Sequence, residues 1–146
     1  SRNLMVCPGA NPGVLDFQDA VHGPLTYDLV SLLRDCYVAW SQDQVVAWAL
    51  EFRRGASAAG LGVGTDEAQF LRWFDLMGVQ RHLKASGIFA RLWHRDGKSG
   101  YLADVPRTLE YVAQTCSRHA DLATLGELVA GKVLPAMRAS LGTTAA

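Results

Sequence analysis

Two residues near the start of the sequence, Asn3 and Asp16, have side chains that could bind a divalent metal. Residues 4–6 and 14–17 have the composition of short strands, and the turn-rich segment 7–13 between them predicts a β-hairpin. Such a hairpin can bring an amide oxygen and a carboxylate to the same end of a ribbon. Oxygen ligands of this kind suit Mg²⁺, the ion that phosphoryl transfer requires. From these two residues alone, ordinary polar residues beside a turn are the alternative interpretation.

Periodic apolar residues predict that the rest of the chain is helical. Spacings of three and four residues indicate a helix over residues 26–40 with one face on a core. A second helix is expected to begin at Ser41, which forms a capping box with Gln44. The small, glycine-rich residues 55–64 predict a linker between helices. The hairpin is therefore followed by at least two helices before the middle of the chain.

A long helix is predicted in the second half of the chain. Thr65, followed by two acidic residues, has the composition of a helix N-terminus, and the helical pattern extends to Trp93. A bend or break is expected near Gly78 or Gly87, because glycine weakens helices. Two further helices are expected, one from Asp104 to about Cys116 and one from Asp121 onward with a kink at Pro135.

Composition limits the classes of protein to which the chain can belong. It has 146 residues, 14 basic and 14 acidic side chains and a formal net charge of zero, so no overall field favours nucleic acid or an anionic membrane. Three widely spaced cysteines, an odd number, argue against a disulfide framework and indicate a reducing cytoplasm. No apolar run approaches the roughly 18 residues of a membrane span. The opening residues lack an initiator methionine and resemble a strand already under way, so we expect a preceding segment.

The order of motifs between Val14 and Leu29 resembles that of a known kinase family. The segments Val14-Leu-Asp-Phe-Gln-Asp-Ala20, His22-Gly-Pro24 and Tyr27-Asp-Leu29 are similar to the aminoglycoside phosphotransferase and choline kinase-like family, whose catalytic lobe has the protein-kinase fold. The resemblance implies an α+β protein in which this chain is the mainly α-helical C-terminal lobe with an N-terminal β-hairpin. Residues 1–20 would form the metal-binding hairpin and residues 26–146 the helical subdomain.

The resemblance also implies roles for individual residues. Asn3 matches the catalytic-loop asparagine, Asp16 the metal-binding aspartate and Asp28 the aspartate that braces the catalytic loop. Asp19 could support the metal loop or contact substrate. In the family pattern the catalytic base lies five positions before the asparagine, ahead of Ser1, and the phosphate-binding lysine belongs to an N-terminal lobe. We therefore expect ATP and Mg²⁺ as cofactors, that lobe of the same protein as a partner, and no activity from these residues alone.

Three further segments suggest a subgroup of the family. Residues 16–24, 27–37 and 80–91 are similar to bacterial cell-wall-recycling kinases that phosphorylate the anomeric hydroxyl of N-acetylmuramate and N-acetylglucosamine. This implies a nucleotide and a small sugar as substrates, with neither nucleic acid nor membrane as a partner. An aminoglycoside or another small alcohol is the alternative acceptor. A non-catalytic helical interaction module is the alternative from a different class.

Two adjacent charged residues, Arg34 and Asp35, allow a binding and a structural interpretation. They follow the predicted bracing aspartate on the same helix, and they could reach a sugar hydroxyl. They could instead form an ion pair on the helix surface, which contributes little to stability. The structural role is favoured over the substrate contact.

A basic stripe is predicted on the long helix. It comprises Arg81, Lys84, Arg91 and Arg95. These side chains could meet a carboxylate of a substrate, but a charged stripe is usually a solvated face. We therefore expect the stripe to face solvent. The four tryptophans lie in apolar patterns and are expected to pack in the core.

Overall fold

The fold is seen in a computed structural model that describes residues 3–16 and 21–144. Strands β1 (Leu4–Met5) and β2 (Gly13–Val14) form an antiparallel hairpin, with Leu4 opposite Val14. The helices are α1 (Thr26–Leu33), α2 (Gln42–Ala58), α3 (Glu67–Asp96), α4 (Val105–Cys116), α5 (Ala123–Leu128) and α6 (Leu134–Thr144). The predicted mainly helical chain with an N-terminal hairpin is confirmed. Phe17, the predicted end of the second strand, lies outside the described residues.

Helix α1 is shorter than its apolar pattern predicts. The helix ends at Leu33, and Arg34 leaves the helical region with φ −123° and ψ 51°. The carboxylate of Asp35 then accepts a hydrogen bond from the backbone N–H of Tyr37 at 3.1 Å. Such local bonds from aspartate compete with helix continuation. The predicted extension to Trp40 is therefore wrong.

Helix α2 begins as predicted but continues further than expected. The hydroxyl of Ser41 accepts a hydrogen bond from the Gln44 N–H at 3.3 Å. The helix runs to Ala58, so the predicted linker is wrong for residues 55–58. Ala56 is buried in the core there, and this packing holds the last turn despite the adjacent glycine.

Helix α3 is one continuous helix of 30 residues. Its N-cap is Asp66, whose carboxylate accepts from the Gln69 N–H at 2.8 Å, and the predicted cap at Thr65 is therefore wrong. The predicted break near Gly78 or Gly87 is also wrong. Gly78 is buried where α3 meets Arg34, and a Cβ at that position would lie 3.0 Å from the guanidinium Nη1. The absent side chain leaves room for the arginine, and the predicted bend stays a prediction.

These two glycines provide a matched test of this packing. Gly78→Ala is expected to lower the free energy of unfolding by about 1–2 kcal/mol, because overpacking against a fixed arginine outweighs the gain in helix propensity. Gly87→Ala is expected to raise it by about 0.5–1 kcal/mol, because its Cβ would meet open space. Urea denaturation of both variants measures the difference. Equal shifts of the same sign would show that Gly78 has no packing role.

The core consists of two hydrophobic clusters that share α3. The first joins α1, α2 and the start of α3, and Phe70 and Phe74 are fully buried in it. The second joins the later part of α3 to α4 and the C-terminal helices, with Val79, Phe89 and Val112 among its buried members. None of the described helices is long and apolar enough to cross a lipid bilayer.

The C-terminal region is helical with irregular joints. Asp104 makes no side-chain cap bond to α4. Asp121 lies in a short 3₁₀ turn, Ala120–Leu122, so α5 begins two residues later than predicted. A π-helical turn, Val129–Val133, precedes Pro135. The wider turn suits a proline, which has no N–H to donate and a ring that clashes with a regular helix. The predicted kink at Pro135 itself stays a prediction.

Candidate active site

The hairpin brings Asn3 and Asp16 together. The Nδ2 of Asn3 donates to the Oδ2 of Asp16 at 2.9 Å, and both side chains are on the exposed surface. The backbone N–H of Leu15 donates to the Asn3 carbonyl at 2.9 Å, which continues the strand pairing by one step. The two predicted site residues thus lie side by side at the open end of the ribbon. Their roles as metal ligands remain predictions.

Asn11 organises the hairpin turn. Its Oδ1 accepts from the Cys7 N–H at 2.7 Å, and its Nδ2 donates to the Cys7 carbonyl at 2.7 Å and to the Gly9 carbonyl at 3.0 Å. These bonds satisfy backbone groups that the two-residue strands leave unpaired. They also fix the register of the hairpin, and therefore the position of Asp16 relative to Asn3. The sequence pattern gave this residue no role.

Asp16 has an unusual backbone conformation. Its φ is 61°, and among the described residues other than glycine it alone has a positive φ. Aspartate and asparagine adopt this left-handed region more readily than other residues. Strained residues of this kind persist where the surroundings fix them, and they occur often at ligand sites. Aspartate beside a turn also adopts this conformation, so the role of Asp16 as a metal ligand stays a prediction.

The donor set at this end of the hairpin fits Mg²⁺. A carboxylate and the carbonyl oxygen of an amide are hard ligands, and both groups are accessible to solvent. In the described part of the chain, no group of three or more histidine, cysteine, aspartate or glutamate side chains is placed to bind a metal ion together. Mg²⁺ commonly takes one or two protein groups and completes its shell with water and phosphate oxygens. Asn3 and Asp16 are the residues that would hold it.

The structure locates the predicted supporting residues only in part. Asp28 is exposed in the first turn of α1, on the segment that follows the hairpin. Its predicted role in bracing the catalytic loop remains a prediction. Asp19, predicted to support the metal loop or contact substrate, lies outside the described residues.

Arg34 belongs to the core rather than to the surface. Its side chain is 3% exposed, and its Nη2 donates to the Oδ1 of Asp75 at 2.6 Å. Its guanidinium also lies 4.5 Å from the ring centre of Phe74. The predicted helix-surface ion pair is therefore wrong. Arg34 instead links the end of α1 to α3 through its ion pair with Asp75. Asp35 is buried as well, so the substrate contact suggested for these two residues remains only a prediction.

Asp75 is the centre of a buried charge cluster that the sequence did not reveal. Besides Arg34, it accepts from Arg118 Nη2 at 3.2 Å and contacts His119 Nε2 at 2.8 Å. Burial raises the pKa of Asp75, but the Arg34 charge and the bonds from its three partners outweigh burial, and the pKa lies below 3.8. An aspartate within the apolar run Trp73–Met77 was the signal available in the sequence. The cluster ties α1 and the end of α4 to one side of α3.

A buried histidine completes this packing. His82 stacks on Tyr111 with ring centres 4.9 Å apart, and its Nε2 lies 2.9 Å from the Arg34 carbonyl. Burial lowers the pKa of His82 below 6.5, and the nearby cations lower it further against the effect of that hydrogen bond. The neutral ring therefore donates to the carbonyl, and it supports the chain where α1 ends.

Comparison with known proteins identifies the family of the chain. The family model described as the phosphotransferase enzyme family matches residues 1–74, a segment that contains the hairpin, α1, α2 and the start of α3. The chain belongs to this family. The matched segment includes both Asn3 and Asp16. The resemblance predicted from the motifs is confirmed.

Individual relatives in the phosphotransferase family are similar over most of the chain. The N-acetylmuramate/N-acetylglucosamine kinase of Pseudomonas putida is 54% identical over 129 residues, which are 88% of this chain and 38% of that protein. The kinase of the same name from Neisseria meningitidis is 52% identical, with the same coverage. That of Caulobacter vibrioides is 33% identical over 77% of this chain and 30% of its own length.

The chain spans 38% of the length of the more similar phosphotransferases. The predicted resemblance to N-acetylmuramate and N-acetylglucosamine kinases is confirmed by these matches. No solved structure matches the chain.

Proposed function

We propose that the full-length protein containing these residues transfers the γ-phosphoryl group of ATP to a sugar hydroxyl, the anomeric hydroxyl of N-acetylmuramate or N-acetylglucosamine. The observation that carries the proposal is the contact between Asn3 and Asp16 at the end of the hairpin. It lies within the segment that matches the phosphotransferase family. The printed names of the relatives supply the two candidate acceptors.

The residues of the hairpin would position the phosphate groups of the nucleotide. Asn3 and Asp16 would hold Mg²⁺, which when bound supplies positive charge to the phosphate oxygens. The fixed turn and the left-handed backbone of Asp16 keep the two side chains in place before substrate arrives. Such preorganisation lowers the cost of arranging charges during transfer. Asp28 would steady the catalytic loop from α1.

In our proposal, the nucleotide-covering lobe and the proton acceptor are formed by residues outside this chain. We infer that residues 1–146 form the C-terminal lobe of a protein-kinase-like fold, whose N-terminal lobe covers the nucleotide. The proton acceptor for the sugar hydroxyl would lie ahead of Asn3. The helical region would support the hairpin and the acceptor. Because ATP is the donor, we place the reaction in the cytoplasm.

The test is an acceptor screen with the full-length protein, ATP and Mg²⁺. The acceptors are N-acetylmuramate, N-acetylglucosamine, an aminoglycoside and choline, with ADP release as the rate measurement and phosphorus NMR to locate the new phosphate. We expect phosphate on the anomeric oxygen of at least one of the two sugars, and loss of turnover when EDTA removes Mg²⁺. Turnover of the aminoglycoside or choline alone would contradict the sugar assignment. No turnover of any acceptor would favour a non-catalytic helical module.

A further inference from the structure

A cavity of about 440 Å³ lies between the start of α1 and the middle of α3. Its volume falls within the range of small-molecule sites. The segment that forms one wall begins only eight positions after Asp16 in the sequence. The walls are mainly apolar and include Pro24, Leu25, Trp73 and Met77, with Thr26 and Gln80 as polar side chains. A largely apolar cavity with few polar groups is the usual composition of a site that orients an organic ligand.

Trp73 gives the cavity a fixed aromatic wall. Its side chain is 41% exposed, contrary to the predicted core position. Gly64 packs against the indole so closely that a Cβ there would lie 3.3 Å from two ring carbons, and its φ of 82° favours glycine. The indole is thus held on one side by the loop before α3. An exposed, immobilised aromatic ring suits the apolar C–H face of a pyranose.

A cationic edge, which consists of Lys84 and Arg81, continues from the cavity along α3. Trp73, Met77, Gln80 and Lys84 follow one another at spacings of three and four residues, so they share a helix face. Lys84 is therefore one turn beyond the Gln80 wall of the cavity. Lys84 therefore places a positive charge next to the apolar wall of the cavity.

Arg81 lies beside Lys84 and is held against α1. Its guanidinium lies 4.0 Å from the ring centre of Tyr27, the neighbour of the cavity residue Thr26. Burial raises the pKa of Tyr27, but Arg81 and Lys84 together bring it below 10.0. Arg81 thus lies against this phenol, and Lys84 follows Arg81 by three positions on α3. Arg81 is half-buried, so the predicted solvated stripe is wrong for this member.

No carboxylate of the described residues neutralises this edge. The ion pairs among them join Arg34 and Arg118 to Asp75, Arg72 to Asp121, Arg95 to Asp96 and Arg138 to Glu110. Arg81 and Lys84 belong to none of these pairs. Two adjacent cations beside an apolar cavity are complementary to a ligand that combines a ring with an anionic group.

We propose that this cavity receives the acceptor sugar, and that Arg81 and Lys84 bind the carboxylate that N-acetylmuramate carries and N-acetylglucosamine lacks. The inference rests on the proposed sugar-kinase function. Trp73 would support the pyranose ring of both sugars, and Thr26 and Gln80 would meet its polar groups. Arg81 and Lys84 would determine specificity without taking part in the transfer itself.

The test compares kcat/KM for the two sugars in the full-length protein. Lys84→Gln and Arg81→Gln are each expected to lower kcat/KM for N-acetylmuramate by about 10- to 100-fold, the loss typical of a charge-assisted hydrogen bond. The value for N-acetylglucosamine should stay within about twofold, because that sugar has no carboxylate. Arg91→Gln is the matched control, since Arg91 is an exposed cation of the same helix, and it should change neither value.

Trp73→Ala tests the cavity independently of charge. It is expected to raise KM for both sugars by about tenfold or more while circular dichroism shows an unchanged helical content. Equal losses for both sugars in Lys84→Gln and Arg81→Gln, or no loss for either, would overturn the carboxylate assignment. Unchanged kinetics in Trp73→Ala would overturn the placement of the sugar. Absence of sugar turnover by the unsubstituted protein would instead overturn the proposed function on which the inference rests.

Discussion

Asp16→Asn in the full-length protein is expected to reduce the rate of phosphoryl transfer by at least about 100-fold. The substitution removes the carboxylate charge that would hold Mg²⁺ beside Asn3, while an amide of the same shape can still occupy the position. Asparagine also tolerates the left-handed φ of 61° found at this residue. The loss should therefore appear in kcat with little change in folding. Steady-state ADP release and thermal unfolding measure the two effects.

Asp43→Asn is the matched control for this experiment. Asp43 is an exposed aspartate in the first turn of α2, so the same chemical change occurs away from the hairpin. It should leave turnover unaltered. A raised Mg²⁺ requirement in Asp16→Asn alone would locate the defect in metal binding. Full activity of Asp16→Asn would refute the assigned role of this carboxylate.

Asp75→Asn is expected to lower the free energy of unfolding by about 3–5 kcal/mol, the usual cost of removing one partner from a buried ion pair. The Arg34 guanidinium would then be buried beside a neutral amide, while Arg118 and His119 would each lose a charged acceptor. Because the native pKa of Asp75 lies below 3.8, its stabilising effect is present above that pH and is lost as the pH falls through the native value. Urea denaturation at neutral pH measures the loss.

An exposed ion pair between α3 and the 3₁₀ turn Ala120–Leu122 provides the comparison. Asp121 accepts from Arg72 at 2.8 Å, but both side chains are largely exposed to solvent. Water and salt screen such a pair, so Asp121→Asn should have little effect on the unfolding midpoint. Similar losses in Asp75→Asn and Asp121→Asn would mean that burial of the Arg34 pair does not govern stability.

Local signals were sufficient to predict the hairpin and the N-cap of α2. Turn residues between two short apolar runs place Asn3 and Asp16 at one end of the ribbon, and the structure has that arrangement. The Ser41 cap depends on residues three positions apart, so it can be recognised from the sequence alone. The hairpin and this cap are therefore two local predictions that the structure confirms.

Contacts between distant residues account for two of the errors. The ion pair of Arg34 and Asp75 joins positions 41 residues apart, and no periodic pattern indicates it. That contact also explains Gly78, which the sequence suggested as a break and the structure uses as space for the arginine. Tertiary packing overrides local propensity in both cases.

The candidate site was likewise predicted only in part. The chemistry of Asn3 and Asp16 follows from their types and order, but the role of Asn11 depends on the three-dimensional path of the turn. The position of Arg81 depends on its contact with Tyr27 on another helix, which no sequence pattern indicates. A residue's neighbours across the fold, rather than its own type, distinguish a binding group from a solvated charge.

The unbroken helix α3 makes the two halves of the core a single cooperative unit. Its 30 residues correspond to a rod about 45 Å long. The rod contributes Phe70 and Phe74 to one cluster and Val79 and Phe89 to the other, so neither cluster can separate from the helix without exposing apolar surface. A sugar held against Trp73 would therefore stabilise the distant C-terminal packing by mass action, with no direct contact between them.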